Sequence, residues 1–171
     1  MFNAGYIAAA KKLTGFADYS DLATSTTPIS LTANTWTDMP NDGAGPFTNL
    51  NFLPTGITTL LDTSTGYLDL SELELGDSVI IRNDFTVTPN GNRANLNFRY
   101  ELGAGLGVYT LDYFVGRLDS GAGLQYRYNL YTHLIYLGDD NTRNNPIKLQ
   151  LNLSKNGSFV NNGSAIQILK R

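Results

Sequence analysis

From Val79 to Leu153 the chain repeats short stretches of alternating apolar and polar residues, separated by turns rich in Gly, Asn and Asp. Alternation of this kind predicts β-strands, because successive side chains of a strand point to opposite faces of the sheet. The stretches Ser78–Val87 and Asn95–Leu102 show it most clearly. Roughly eight to ten short strands are predicted in all. No helical segment of useful length accompanies them, so the sequence predicts an all-β protein.

Two of the predicted strands, 106–115 and 126–137, carry apolar side chains on both faces. The first places Tyr109, Leu111, Tyr113 and Val115 on one face and Val108 and Phe114 on the other. A sheet with one wet face should instead alternate cleanly between apolar and polar residues. The second face must therefore be covered by another sheet or by another copy of the chain. We predict an antiparallel sandwich that self-associates through Tyr109, Tyr113, Tyr126, Tyr128, Tyr131 and Tyr136.

Residues 1–28 differ from the rest because they are apolar without a strand pattern. A short helix is predicted at 8–13, and the Thr24–Pro28 cluster separates the segment from the body. We therefore divide the chain into an N-terminal anchoring segment, 1–28, and a sandwich domain, 29–171. The anchor would use Phe2, Tyr6, Ile7, Leu13, Phe16 and Tyr19. The alternatives are a frayed terminus and a segment that packs back onto its own sandwich.

Composition excludes several classes of function. The net charge is −3, only 16% of residues are charged, and Lys and Arg are scattered, which argues against nucleic acid as a partner. No apolar run approaches the about 18 residues of a membrane span. The positive charges near the start follow the apolar residues, whereas a signal peptide has the reverse order. Cysteine is absent, which removes disulfides and thiolate chemistry, and no cofactor is predicted.

Catalytic chemistry has little support in the sequence. His133 is the only histidine, and its neighbours in sequence are not carboxylates, so we interpret it as a structural or interface residue. The carboxylate pairs Asp38 with Asp42 and Asp139 with Asp140 lie in loops beside Asn and Gly, where turn chemistry explains them. The spacing around Asp139 matches no calcium-binding EF-hand loop. We predict no catalytic, cofactor or metal site and no enzyme activity.

Three features resemble a known family. They are the Trp-containing strand 35–38, the segment 68–82 with its Leu-x-Leu, Gly-Asp and Val-x-Ile-Arg elements, and the Asn-Gly turn at 90–91, which is predicted to form a hairpin. Together with the Tyr-rich strands, they resemble the compact jelly rolls of the tumour-necrosis-factor and C1q type, especially the trimers found on bacteriophage particles. The resemblance implies a jelly-roll homotrimer with a short N-terminal extension, packed around a three-fold axis.

The resemblance also implies a function, although fold alone does not decide one. The first hypothesis is a non-enzymatic structural virion protein: a trimer that decorates or cements the capsid, made in the host cytoplasm. Its partners would be its own copies and the major capsid protein or another virion protein. The alternative is the receptor-binding tip of a phage tail or head fibre that recognises a host surface glycan. A carbohydrate-active enzyme is the third hypothesis, which the missing acid/base pair disfavours.

Overall fold

A computed structural model describes residues 12–103 and 107–171, without the side chains of Tyr131 and Thr132. Phe2, Tyr6, Ile7 and four of the six residues of the predicted helix at 8–13 lie outside the described residues, and Lys12 and Leu13 are not helical. The strands are β1 (Thr14–Tyr19), β2 (Ile29–Leu31), β3 (Thr37–Asp38), β4 (Asn49–Phe52), β5 (Leu61–Asp62), β6 (Tyr67–Leu68), β7 (Ser78–Pro89), β8 (Ala94–Leu102), β9 (Tyr109–Leu118), β10 (Tyr126–Tyr136), β11 (Lys148–Leu153) and β12 (Gly157–Leu169). Two short helices, α1 (Ala23–Thr26) and α2 (Asp140–Asn144), interrupt them.

The strands form two main antiparallel sheets. The large sheet has the order β10-β7-β12-β1-β4, with β2 also paired to β12, and the small sheet has the order β3-β11-β8-β9. A two-stranded ribbon of β5 and β6 accompanies them. All the strand pairs are antiparallel, which confirms the prediction of an all-β, antiparallel fold.

The core lies between the two sheets and follows the alternation in the sequence. In β7 and β8 every second side chain is buried: Val79, Ile81, Phe85 and Val87 from one, and Leu96, Phe98, Tyr100 and Leu102 from the other. The rings of Phe85 and Phe98 stack with centroids 6.2 Å apart, so the two strands face each other across the core. The period of two was therefore sufficient to predict which residues of these strands are buried.

The predicted hairpin at Asn90-Gly91 is wrong. The chain does turn between Pro89 and Ala94, but β7 belongs to the large sheet and β8 to the small sheet, so the two do not pair. The positive φ in this turn belongs to Arg93, at 56°, and not to Gly91. Turn residues indicate that a chain reverses, whereas the pairing depends on which faces the flanking strands bury.

The boundary predicted at residue 28 falls inside the sandwich. Strand β1 lies between β12 and β4 in the large sheet and pairs with both. Its inward positions are Gly15, Ala17 and Tyr19, and Tyr19 is only 2% exposed. A side chain at Gly15 would collide with Pro54 and the carbonyl oxygen of Phe52. Two of the three inward residues are thus small, and a strand with small inward residues shows no hydrophobic alternation in the sequence.

Candidate functional site

One side of the sandwich is open, and β9 and β10 form it. Each is the outermost strand of its sheet. They lie near each other across the sandwich, since the ring centroids of Tyr113 in β9 and His133 in β10 are 4.1 Å apart. Within 12–103 and 107–171, each of these strands pairs on one edge only, with β8 and β7 respectively. We call this surface the open side. Unpaired strand edges are where a second chain can add hydrogen bonds.

The open side is apolar along both strands. Its inward-facing side chains pack against the core but are only half-buried: Leu111, Tyr113 and Val115 from β9, and Tyr126, Tyr128 and Leu130 from β10. Tyr109, at the start of β9, is exposed, and the outer faces of the two strands carry the exposed side chains of Phe114, Leu134 and Tyr136. Burial raises the pKa of Tyr113 and of Tyr128, so both rings are partly withdrawn from water. Tyr109, Tyr113, Tyr126 and Tyr128 thus lie on the inward faces of the two strands. Tyr136 is exposed on the outer face, because the register of β10 shifts between Leu130 and His133, and the side chain of Tyr131 lies outside the described residues.

His133 belongs to a buried hydrogen-bond network that joins the two sheets. The Ser164 hydroxyl donates to the Asn83 side-chain oxygen over 2.9 Å, and the Asn83 amide donates to the Tyr100 hydroxyl. That hydroxyl lies 3.1 Å from Nδ1 of His133. The Tyr100 oxygen accepts a hydrogen bond from Asn83, so its own proton can be donated to Nδ1 of His133. Nδ1 can accept this proton when the imidazole is neutral and carries its proton on Nε2. Burial lowers the pKa of His133, in agreement with a neutral ring.

The carboxylates of Asp42 and Asp139 accept hydrogen bonds from nearby backbone N–H groups. Asp42 accepts from the N–H groups of Leu22, Ala23 and Ala44. Burial raises the pKa of Asp42, but these hydrogen bonds outweigh it and leave the pKa below its usual value. Asp139 caps α2 by accepting from the N–H of Thr142 over 2.8 Å. Turn and cap chemistry therefore explains Asp42 and Asp139, as the sequence predicted. The loop position predicted for Asp38 is wrong: it lies in β3, and its carboxylate accepts from the Tyr67 hydroxyl and the Gln150 amide, over 2.6 and 2.5 Å.

The described ranges contain neither a metal-binding cluster nor a membrane-spanning helix. Among residues 12–103 and 107–171, no three His, Asp or Glu side chains converge in an arrangement that could hold a metal ion. None of the helices in these ranges is long and apolar enough to cross a membrane.

A row of mostly apolar side chains crosses the outer face of the large sheet. The strand registers place Leu134, Ile80, Gln167, Phe16 and Phe52 side by side, one on each of the five strands. Four of the five are apolar, and Leu134, Phe16 and Phe52 are exposed. We call this the apolar row. Sequence analysis missed it because five distant segments supply it, and only Ile80, at a position where its strand is otherwise polar, signals it.

The predicted anchor residues separate into two groups. Leu13 and Phe16 are exposed, and Phe16 stands in the apolar row. Lys12 lies at the end of the same row, where its ammonium group donates to the Phe52 carbonyl oxygen over 2.6 Å. Tyr19 is different: it lies in the core, and its hydroxyl accepts from the N–H of Leu60 over 2.7 Å. Including Tyr19 in an exposed anchor was wrong, because its side chain points between the sheets.

A cleft of about 440 Å³ lies at the other end of the same outer face. One wall is formed by the loops that carry Leu22 and Phe47, and the floor is formed by Asp84, Asn129 and Asn162 from three neighbouring strands. The Phe47 ring is 78% exposed at the rim. Sequence analysis did not find this cleft either, since its floor depends on the registers of β7, β10 and β12.

Comparisons with known proteins gave structural matches only. No family model and no curated protein matches the sequence. Among solved structures, the chain is similar to the vertex protein P5 of PRD1, with 23% identity, 95% of this chain and 99% of that chain covered, and a TM-score of 0.37. It is also similar to a chain of infectious bursal disease virus, Gx strain, with 13% identity, 99% and 54% covered, and a TM-score of 0.39.

A chain from the T13 particle of infectious bursal disease virus gives a similar result, with 12% identity and a TM-score of 0.39. The match covers 99% of this chain and 52% of that one. The chain thus spans about half the length of the two bursal disease virus chains. With TM-scores this low, the likeness extends to neither the function nor the partners of those proteins.

Proposed function

We propose that this chain is a non-enzymatic structural protein of a phage particle, assembled as a homotrimer that decorates or cements the capsid. The open side is the observation that carries the proposal. Two long strands, each with one edge unpaired among the described residues, and a continuous set of half-buried tyrosine and aliphatic side chains form a surface that an isolated chain leaves in contact with water. Burying one such side chain stabilises an assembly by roughly 1.5–3 kcal/mol before ordering costs.

A jelly roll with the family's trimeric arrangement is part of the proposal. Its support is the path of the chain: β7 lies in the large sheet, β8 and β9 in the small sheet, β10 in the large sheet, β11 in the small sheet and β12 in the large sheet. This path leaves β9 and β10 together on the open side, the surface through which three copies would meet. An obligate interface of this type buries about 2,000 Å² or more in total.

Attachment to the particle is assigned to the apolar row and to the segment that precedes it. Leu13 and Phe16 remain in the proposed anchor, and the row adds Phe52 and Leu134. The predicted anchor residues Phe2, Tyr6 and Ile7 come shortly before Lys12, which touches Phe52. The partner would be the major capsid protein or another virion protein with a complementary apolar surface. Three copies of the row on one trimer would add avidity.

The test of self-assembly is light scattering on the purified chain at micromolar concentration. A trimer is expected, and a monomer would contradict the proposal. Attachment is tested separately by sedimentation with undecorated capsids. Phe16→Asp and Phe52→Asp should each weaken co-sedimentation at least about tenfold, since a charge buried without a partner is costly. The matched control is Phe47→Asp, which alters an exposed phenylalanine outside the row and should bind normally.

Truncation offers a second test, provided that the shortened protein retains β1. Removal of residues 1–11 should leave the sandwich folded, because β1 is retained, and should reduce capsid binding. Removal of 1–28 would also remove β1 from between β12 and β4, so it should unfold the large sheet. Capsid binding by the 12–171 protein at the affinity of the full chain would eliminate residues 1–11 from the anchor and leave the row as the attachment surface.

The receptor-binding tip remains the second candidate, and the cleft beside Phe47 is the observation that favours it. A tip protein would bind host cells or their polysaccharide, whereas a cement protein would bind the capsid lattice. Incubation of the same purified protein with capsids and with host cells separates the two functions.

A further inference from the structure

We propose that the cleft beside Phe47 binds one ring of a neutral carbohydrate. This site lies on the outer face of the large sheet and includes Arg127 and Asn129 of β10, whereas the proposed trimer contact uses the half-buried side chains on the inner face of that strand. Its chemistry depends neither on trimer formation nor on attachment to a capsid. Its volume, about 440 Å³, falls in the range of about 300–1,000 Å³ typical of small-ligand sites. A sugar ring has apolar C–H faces and a rim of hydroxyl groups, so its site needs an apolar wall beside planar polar groups.

The apolar wall is formed by Phe47 together with Leu22 and Pro46. An aromatic ring with 78% of its surface in water gains nothing for the fold, and a flat C–H face could cover it. The ring is carried by a fixed loop, since the N–H of Phe47 donates to the Ser20 hydroxyl over 3.1 Å. The N–H of Gly45 also donates to the Ser20 carbonyl oxygen over 3.1 Å. The wall is therefore positioned before any ligand arrives, which lowers the entropy cost of binding.

The polar floor consists of one carboxylate and two amides whose orientation is already fixed. Asp84 accepts from the Asn129 side-chain amide over 2.7 Å, and Asn162 accepts from the Thr86 hydroxyl over 2.9 Å. These contacts use one donor of Asn129 and one acceptor of Asn162. The Asn129 oxygen and the Asn162 amide group keep hydrogen-bonding capacity that the described residues do not use. Neighbouring hydroxyls of a sugar ring are both donors and acceptors, and they match such a mixed set.

Asn162 reaches the cleft because β12 contains a bulge. The register of β12 against β7 shifts between Asn161 and Gly163, and the extra residue is Asn162. Gly163 has a φ of 128°, and a Cβ there would collide with the Tyr19 carbonyl oxygen. The buried hydroxyl of Thr24 holds the bulge by accepting from the N–H of Asn161 over 2.8 Å. Bulges often re-aim a side chain next to a binding site, and this one adds the third polar group.

The charges favour a neutral ligand over an anionic one. Asp84 forms an ion pair with Arg82 at 2.9 Å, which offsets the carboxylate in the floor. Arg127 lines the cleft as well, and the Asp21 carboxylate balances it in sign. The lining holds two carboxylates and one guanidinium, and Arg82 pairs with one of the carboxylates from outside it, so the cleft lacks the excess of cations that a phosphate or an acidic sugar would require. The guanidinium of Arg127 is instead a planar donor suited to a pair of hydroxyl groups.

The experiment uses the full-length protein and an array of neutral hexose and N-acetylhexosamine oligosaccharides, with acidic oligosaccharides on the same array. Binding to at least one neutral oligosaccharide is expected, and calorimetry with that compound then gives its affinity. Phe47→Ala and Asn129→Ala should each weaken the affinity about tenfold or more, since each removes one side of the site. Phe52→Ala is the matched control, because it removes an exposed phenylalanine of the same outer face, and it should bind like the wild type.

Thermal unfolding of each variant shows whether the fold is retained, and Asn162→Ala replaces Asn129→Ala if the latter is destabilised. The proposal is overturned if no neutral oligosaccharide binds at millimolar concentration, if only acidic ones bind, or if Phe47→Ala binds as the wild type does. Capsid co-sedimentation of Phe47→Ala is measured in parallel. It should be normal, so failure of the cleft and failure of the structural role give different results.

Discussion

Strands β8 and β9 are neighbours in one sheet and carry similar apolar residues, yet they have different surroundings. In β8, Leu96, Phe98, Tyr100 and Leu102 are all fully buried. In β9, residues 109–117 include no buried side chain, and Phe114 is 67% exposed. The register pairs Phe98 with Tyr113, so the two strands present their rings side by side to the same core. Among the described residues, β8 has a partner strand on both edges and β9 on one edge.

The difference shows that hydrophobicity and burial are separate properties of a strand. β8 is covered by β11 on one edge, by β9 on the other and by the large sheet above. β9 carries similar apolar side chains but is the outermost strand of the small sheet. Among the described residues, its side chains therefore have neighbours on one edge only. An apolar strand at the edge of a sheet is a place where another chain can associate or where aggregation can begin. We interpret the excess of apolar residues in β9 and β10 as the part of the core that a second copy completes.

The largest expected effect is a loss of folding stability when a buried ring of β8 is removed. Phe98→Ala should lower the free energy of unfolding by about 3–5 kcal/mol, since it leaves a cavity between the sheets. Phe114→Ala is the matched change in β9 and should alter the stability of the subunit by less than about 0.5 kcal/mol. Urea denaturation at a fixed protein concentration measures both. Equal losses would mean that β9 is as well packed as β8.

The next effect is on assembly. Tyr128→Asp places a carboxylate on the open side and should shift the protein from trimer to monomer at micromolar concentration, because a buried unpaired charge costs several kcal/mol. Light scattering measures the mass, and circular dichroism shows whether the sheets persist. Phe47→Asp, a similar change away from the open side, should remain a trimer. A trimeric Tyr128→Asp protein would place the interface elsewhere.

The smallest effect is a pH dependence at His133, which touches both Tyr100 of β8 and Tyr113 of β9. Its pKa is lowered in the folded state, so the unfolded chain binds the proton first as the pH falls. The contribution of the neutral ring is complete above the unfolded value of about 6.5 and is lost as the pH falls from there towards the folded value. His133→Gln should keep an acceptor for Tyr100 and lose this dependence.

The check is the difference in urea midpoint between pH 7.5 and pH 5.5, compared for the two proteins. The wild type should lose more stability than His133→Gln over this interval. Equal losses would assign the pH dependence to carboxylates and would contradict a neutral, buried His133.

The alternation of β7 and β8 made their buried residues predictable, and the two-sided apolar character of β9 and β10 marked them as unusual. The anchor was less predictable, because Gly15 and Ala17 give β1 no hydrophobic pattern although it lies within the large sheet. Nothing in the sequence around Tyr19 distinguishes it from an exposed aromatic residue, and it is nevertheless a core residue. Local sequence contains the period of a strand, but it does not contain the neighbours that cover it.

The sequence by itself determined the all-β class, the inward faces of β7 and β8 and the turn and cap roles of Asp42 and Asp139. These properties depend on local period and on hydrogen bonds between nearby residues. Only the tertiary structure decided that β7 and β8 separate into two sheets, that β9 and β10 end together on the open side, and that the apolar row and the Phe47 cleft exist. Each of these requires the register of strands distant in sequence, and a one-residue slip would turn every one of their side chains to the other face.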